Sequence, residues 1–203
     1  DPWYFYNGLA DEVAVWNVPL SLKQVRALAA GKATPATMAS GSRPVSYWDF
    51  NNGKKVTDRV GDNHGISIVG AGFSSDTPSV GGAHSLDLTN GKDYVVLPST
   101  DFGITDQFTI SAWLKVSSYE GRGFFAIKRD CTAAGGDRSG VCFGPGLSGD
   151  LYTGVISSRG NDEADRRNTG NTYHDISTVP TAWKIVREWK FDRKGPEEHR
   201  RRQ

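Results

Sequence analysis

The chain has 203 residues, and its 24 Lys and Arg nearly cancel 23 Asp and Glu to leave a formal charge of +1. That balance excludes a general electrostatic attraction to nucleic acid or to an anionic membrane, and no run approaches the roughly 20 apolar residues that a membrane helix needs. Six Trp, nine Phe and seven Tyr supply material for a packed core, while 24 Gly and nine Pro demand many turns. The chain opens on Asp1, its single Met is Met38, and no charged segment followed by an apolar run stands at its start, so it carries no signal-peptide pattern and reads as internal to a longer protein.

In chain order, Glu12 to Trp16 alternates polar and apolar as a strand with one buried face does. Pro19 and Ser21 interrupt it. The run that follows places Leu22, Val25, Leu28 and Ala29 at helical spacing, with Ser21 as N-cap and Gly31 as stop. Residues 32–43 are small, polar and Pro/Gly-bearing, which predicts a linker. Strand signals then recur at 45–50, 65–69, 84–88, 94–97, 108–116, 123–128, 140–143 and 151–157, separated by turn clusters that include Asn-Gly pairs at 52–53 and 90–91. Short strands at this spacing predict an all-β antiparallel sandwich or jelly roll with one short N-terminal helix. In 108–116, Phe108, Ile110, Ala112, Leu114 and Val116 form the expected inner face, Thr109, Ser111 and Lys115 the outer one, with Trp113 as an exception. Trp48 and Phe50 read as core aromatics. From Lys184 onward eight Lys and Arg stand against four acids, which predicts a solvated basic tail over 184–203.

Two stretches carry a family resemblance. The segments VSYWDFNNGKKVTDRVGDNHGISIVG, GGAHSLDLTNGKDYVVLP and FTISAWLKV, all within 45–116, resemble the opening half of a laminin-G-like module of the concanavalin A-like lectin/glucanase superfamily. The stretch GLADEVAVWN followed by Leu20 and Ser21 is similar to the closing strand and helix of the same family. The closing pieces therefore precede the opening ones. The resemblance implies an organisation of closing strand and helix at 1–31, linker at 32–43, an incomplete jelly roll at 44–183 and the tail beyond. It also implies a role in recognising a glycan or an extracellular protein surface, at the cell surface or outside it, beside other domains of the parent chain. The family's closing strand is missing after Trp183. Residues 11–16 are therefore expected to fold back and fill the sheet edge beside 45–50.

Chemistry is sparser. Glycosidases on this scaffold need paired carboxylates, yet Glu163 and Asp165 lack the third carboxylate of the glucanase motif, which argues against an enzyme and leaves a glucanase-like hydrolase as the weakest reading. An accessory carbohydrate-binding module of a polysaccharide-degrading enzyme is the alternative to a free-standing recognition module. His64, His84, His174 and His199 are scattered, and none adjoins a nucleophile pattern. The polar segment Arg159, Asn161, Asp162, Asp165, Arg166, Arg167 and Asn168, with Tyr173 and His174, offers donors and acceptors suited to sugars. Cys131 and Cys142 flank a Gly-rich loop, a spacing that fits a hairpin-closing disulfide contributing about 3 kcal/mol or, failing that, two unpaired thiols. Ca²⁺ is common among relatives, and Asp130, Asp137 and Asp162 are the candidate donors.

Overall fold

A computed structural model describes residues 6–90, 92–98, 102–104 and 108–117 with their side chains, and further strands at 125–127, 140–145, 150–156, 174–175 and 184–186 by their backbone. The chain is all-β with one short α-helix among the described residues. The strands are β1 (Gly8–Trp16), β2 (Ser46–Trp48), β3 (Ser67–Val69), β4 (Gly72–Ser74), β5 (Ser85–Leu88), β6 (Tyr94–Val96), β7 (Thr109–Val116), β8 (Phe125–Ile127), β9 (Gly140–Pro145), β10 (Asp150–Ile156), β11 (His174–Asp175) and β12 (Lys184–Val186), with helix α1 at Leu22–Ala29. A six-stranded antiparallel sheet runs β12-β7-β1-β5-β4, with β2 also on β1. The order β11-β10-β9-β8 makes a second sheet, and β3 and β6 form a two-stranded ribbon.

The fold-back expected of residues 11–16 is present in the pairing. Val13 lies opposite Trp48, Ala14 opposite Tyr47 and Val15 opposite Ser46, and the Val45 N–H donates to the Val15 carbonyl at 2.8 Å. The strand does not cap an edge, however. Its other side is hydrogen-bonded to β7 from Gly8↔Val116 to Trp16↔Thr109, and its first residues also pair with β5. β1 is therefore a central strand, and nothing in the six-stranded sheet is more deeply enclosed.

Being central changes its burial. One buried face was expected, yet every residue of β1 is buried. Ala10, Val13 and Val15 belong to a core shared with Trp48, Phe50, Leu86, Phe108, Ile110, Ala112 and Leu114. Ala14 and Trp16 face a second core built with Leu20, Val25, Leu28, Met38 and Tyr47. Helix α1 closes that second face. It forms there because Ser21 Oγ accepts from the Gln24 N–H while Gln24 Oε1 accepts from the Ser21 N–H, a reciprocal cap worth about 1 kcal/mol, and because Gly31 takes the left-handed φ of +65° just past its end. Residues 35–37 add a 3₁₀ turn, and Met38 carries the stretch predicted as a linker into the second core.

The same cover corrects the reading of β7. Thr109 and Ser111 are buried rather than outward: Thr109 Oγ1 accepts from the Leu20 N–H and donates to the Val18 carbonyl, so the segment entering α1 lies over it. Lys115 is half-buried and paired with Asp76. The predicted tail is also shorter than expected, because residues 184–186 pair with Leu114, Trp113 and Ala112 as the outermost strand of the sheet. Residues 187–203 lie outside the described residues.

Candidate functional site

Two places combine unusual chemistry with defined geometry. The first is a bulge in β1. Asp11 pairs with Trp113 but Ala14 pairs with Ser111, so β1 carries one residue more than its partner. The extra residue places Ala10 and Val13 on the same core face, which strict alternation would forbid. Glu12 takes it up with a left-handed φ of +52°, a conformation that costs a non-glycine residue about 1–2 kcal/mol.

The bulge turns two adjacent carboxyls inward. Asp11 is 0% exposed and Glu12 4%. Glu12 Oε2 accepts from the Tyr47 hydroxyl at 2.7 Å, and Asp11 Oδ1 accepts from the Glu12 N–H at 2.8 Å. Asp11 Oδ2 is buried without a hydrogen-bond partner. The 78–83 loop lies directly over it: a Cβ on Gly81 would stand 2.4 Å from that oxygen, so only glycine lets the backbone approach. Burial pushes the Asp11 carboxyl up to about 8, reinforced by the neighbouring Glu12 and Asp49 charges against the opposing pull of the Glu12 N–H. Burial likewise lifts Glu12 to about 7, with the Tyr47 hydrogen bond pulling down and Asp49 pushing up. Burial and the Glu12 carboxylate together raise the Tyr47 phenol, which stays protonated as the donor. Asp49 itself is ion-paired to Arg59 at 3.2 Å.

No three His, Cys, Asp or Glu side chains among the described residues are arranged to hold a metal ion together. The unpartnered Asp11 Oδ2 nonetheless has the chemistry of a hard-cation ligand. A bare carboxylate buried there would cost several kcal/mol, so its charge is neutralised by a proton or by a cation.

Asp58 makes an instructive contrast. Its carboxylate accepts from the N–H groups of Tyr47, Val60, Gly61 and Asn63, while its own N–H donates to His64 Nδ1 at 3.0 Å. Burial pushes its pKa up, but the Tyr47, Gly61 and Val60 N–H groups outweigh that and hold it below the ordinary carboxylate range. The Asp-x-x-Gly-x-x-His-Gly turn is thus a self-contained clasp, locked to the core by Trp48 Nε1 donating to the Asn63 carbonyl at 2.9 Å.

The second place is the β3–β6 ribbon. Val69 lies opposite Tyr94 and Ser67 opposite Val96. Ile68 and Val95 point into the core, so the alternate positions turn outward. Three of these four are apolar, with Ser67 the polar one: Val69 is 39% exposed, Val96 39% and Tyr94 44%, and Ile66, which leads into β3, is 68% exposed. Beside them an open groove of about 660 Å³ is lined by Lys54, Lys55, Thr57, His64, Ile66 and Ser67 among others.

Of the residues singled out from sequence, Arg159, Asn161, Asp162, Asp165, Arg166, Arg167, Asn168 and Tyr173 lie outside the described residues, as do Asp130 and Asp137. His174 is placed in β11, opposite Leu151. Cys142 is placed in β9, opposite Gly154 and Ala126. Cys131 lies outside the described residues, and no disulfide is present among them. No helix among the described residues is long and apolar enough to cross a membrane. Sequence reasoning passed over Asp11 and Glu12, although two adjacent acids inside an otherwise apolar strand were a visible signal. No family model matches the chain, and no curated protein or solved structure is significantly similar to it.

Proposed function

We propose that this chain is a non-catalytic recognition module of a larger extracellular protein, a jelly-roll sandwich of the laminin-G-like kind whose ligand is a glycan. The observation that carries the reading is the outward face of the β3–β6 ribbon, where Val69, Tyr94 and Val96 are exposed beside the groove reached through Ile66. An aromatic ring and flanking apolar side chains held on paired strands suit the flat face of a sugar, and lysines and a histidine alongside supply polar contacts. The non-catalytic part rests on the acids. A glycosidase needs its two carboxyls on either side of the scissile bond in an accessible cleft, whereas of the adjacent pair with raised pKa values Asp11 is sealed beneath Gly81 and Glu12 is buried against Tyr47.

Among the described residues the Ca²⁺ that the family resemblance implies would find Asp11 Oδ2 as a single carboxylate ligand, without the cluster of oxygen donors that such a site needs. A glycan array probed with the intact protein, with Ca²⁺ and with EDTA, tests the function. Binding that is lost in Tyr94→Ala supports it. Binding to no glycan under either condition overturns it.

A further inference from the structure

We infer that two copies of this chain form a reciprocal dimer by exchanging residues 6–38, so that β1 and α1 of one copy fill the slot between β7 and β2 of the other. The exchanged piece holds itself together. Of the seven buried side chains in the second core, six lie between Ala14 and Met38, and Tyr47 alone comes from beyond them. Helix α1 is capped from within the same stretch by Ser21 and Gln24, and the 3₁₀ turn at 35–37 follows it. Such a stretch detaches and docks as one cooperative unit. Residues 45–116, by contrast, need a strand they do not contain. β2, β5 and β7 each pair with β1, so removing it would open the facing edges of β2 and β7 and uncover Trp48, Ile110 and Ala112 of the first core.

The slot is keyed to this sequence, and that fixes its occupant. A Cβ on Gly8 would collide with the Lys115 carbonyl, Glu12 Oε2 meets the Tyr47 hydroxyl, and Thr109 Oγ1 bonds both the Leu20 N–H and the Val18 carbonyl. A second copy reproduces every one of these fixtures. Only the connection differs. It is the segment 39–43, exposed except at Ser42, and it closes in a turn where the Ser42 N–H donates to the Ala39 carbonyl at 2.9 Å. Trp16 Nε1 donates to the Ser42 carbonyl and Gln24 Nε2 to the Ser42 hydroxyl, bonds that favour the closed monomer when the chain is dilute. Gly41 carries the turn with a left-handed φ of +84°, and nothing lies within 4 Å of where its Cβ would stand. A β-branched residue there strains the closed turn through the backbone alone, whereas an extended hinge accepts it. Exchange therefore gives up one turn and keeps every other contact of the fold.

The test uses the intact chain. Ala14 and Ser111 lie opposite one another across β1 and β7, and both are small, so Ala14→Cys with Ser111→Cys in one chain should close an intrachain disulfide. Placed on separate chains, the two cysteines meet only when the unit of one copy occupies the slot of the other. An equimolar mixture of the two single variants, refolded at high protein concentration and oxidised, is expected to give the 14–111 bridge between chains in its dimer fraction, located by peptide mass mapping. Gly41→Val should raise the dimer association constant by about tenfold or more, because both hinges escape the strain; Gly41→Asn, which tolerates the left-handed region, should leave it close to that of the parent chain. A folded Gly41→Val chain that stays monomeric at every concentration overturns the exchange, and so does a dimer without the 14–111 bridge. Should Gly41→Val fail to fold, the mixture decides alone, and no bridge between chains means no exchange. Failure of the intrachain bond in the double variant would remove the β1–β7 pairing on which the inference rests. Glycan recognition by the ribbon stands or falls separately.

Discussion

The bulge of β1 and the β3–β6 ribbon invert the usual distribution of side chains in opposite directions. At the bulge, two carboxyls and a phenol lie inside; on the ribbon, a tyrosine, two valines and an isoleucine lie outside. The first departure is stabilised by its surroundings, since β1 is enclosed by strands on both sides and by a core on each face. The second is anchored more thinly, since a ribbon of two three-residue strands rests on the inward Ile68 and Val95, with the buried Asp93 holding the turn before β6 through the Asn90 N–H. Buried polarity here belongs to the scaffold, and exposed apolarity is the feature on which the proposed recognition face rests.

The largest effect should separate the two regions by the same chemical change. Trp48 sits opposite Val13 on the central strand, 1% exposed and edge-on to Phe102 at 6.2 Å. Trp48→Ala should cost about 3–5 kcal/mol in denaturant unfolding. Tyr94→Ala, an aromatic of the ribbon, should cost less than about 1 kcal/mol. Comparable losses would mean that the ribbon face is as enclosed as the centre of the sheet.

The bulge predicts an unusual pH dependence. In the folded state Asp11 holds its proton to about pH 8 and Glu12 to about 7, whereas in the unfolded chain both ionise near pH 4. The folded state therefore binds more protons between those limits. Stability is fully present below pH 4 as far as these two groups are concerned and falls as pH rises to 8, by up to about 1.4 kcal/mol per pH unit for each group. Asp58 acts in the opposite sense and withdraws stability as pH falls below the ordinary carboxylate range, so the optimum lies in mild acid. Thermal unfolding in EDTA from pH 4.5 to 8.5 should show the decline, and Asp11→Asn should flatten it. A stability that rises steadily to pH 8 without Ca²⁺ would refute the buried acid pair.

How much of this could be read in the sequence follows from which residues speak locally. The Ser21 and Gln24 cap and the Asp58 turn are written within a few residues, and each formed as its pattern requires. The pairing of β1 with β2 was legible too, through the closing strand missing from the C-terminal third. The bulge was not. A change of parity between Ala10 and Val13 leaves no trace in a strand whose neighbours are apolar on both faces, and the alternation of Glu12 to Trp16 invited a one-sided reading. Thr109 and Ser111 failed for a related reason: polarity was read as exposure, but the segment at Val18 and Leu20 supplies Thr109 with partners from 89 and 91 residues away. The ribbon was hidden because Ile66, Val69, Tyr94 and Val96 are good strand formers whichever way they point.

A smaller effect tests whether the bulge is held together or merely enclosed. Tyr47→Phe removes the one side-chain donor to Glu12 among the described residues and leaves the shape of the second core intact. It should cost about 1–3 kcal/mol where Glu12 is ionised and less at pH 5, where a neutral carboxyl needs that donor less. The pH-dependent decline should then extend to higher pH, since burial would raise Glu12 unopposed by the phenol. An equal loss at both pH values would mean that the hydroxyl serves packing rather than charge.

The smallest change belongs to the ribbon. Val69→Thr and Val96→Thr keep branched, strand-favouring side chains and alter only the polarity of the outward surface, so each should shift stability by no more than about 0.5 kcal/mol. Their effect on ligand is the sharper measure. If the strip is a contact surface, the pair of substitutions weakens glycan binding several-fold while the unfolding midpoint stays in place, because Ile68 and Val95 still anchor the ribbon from beneath. A fall in the midpoint with unchanged binding would place those valines in the scaffold after all, and the contrast between the two regions would vanish.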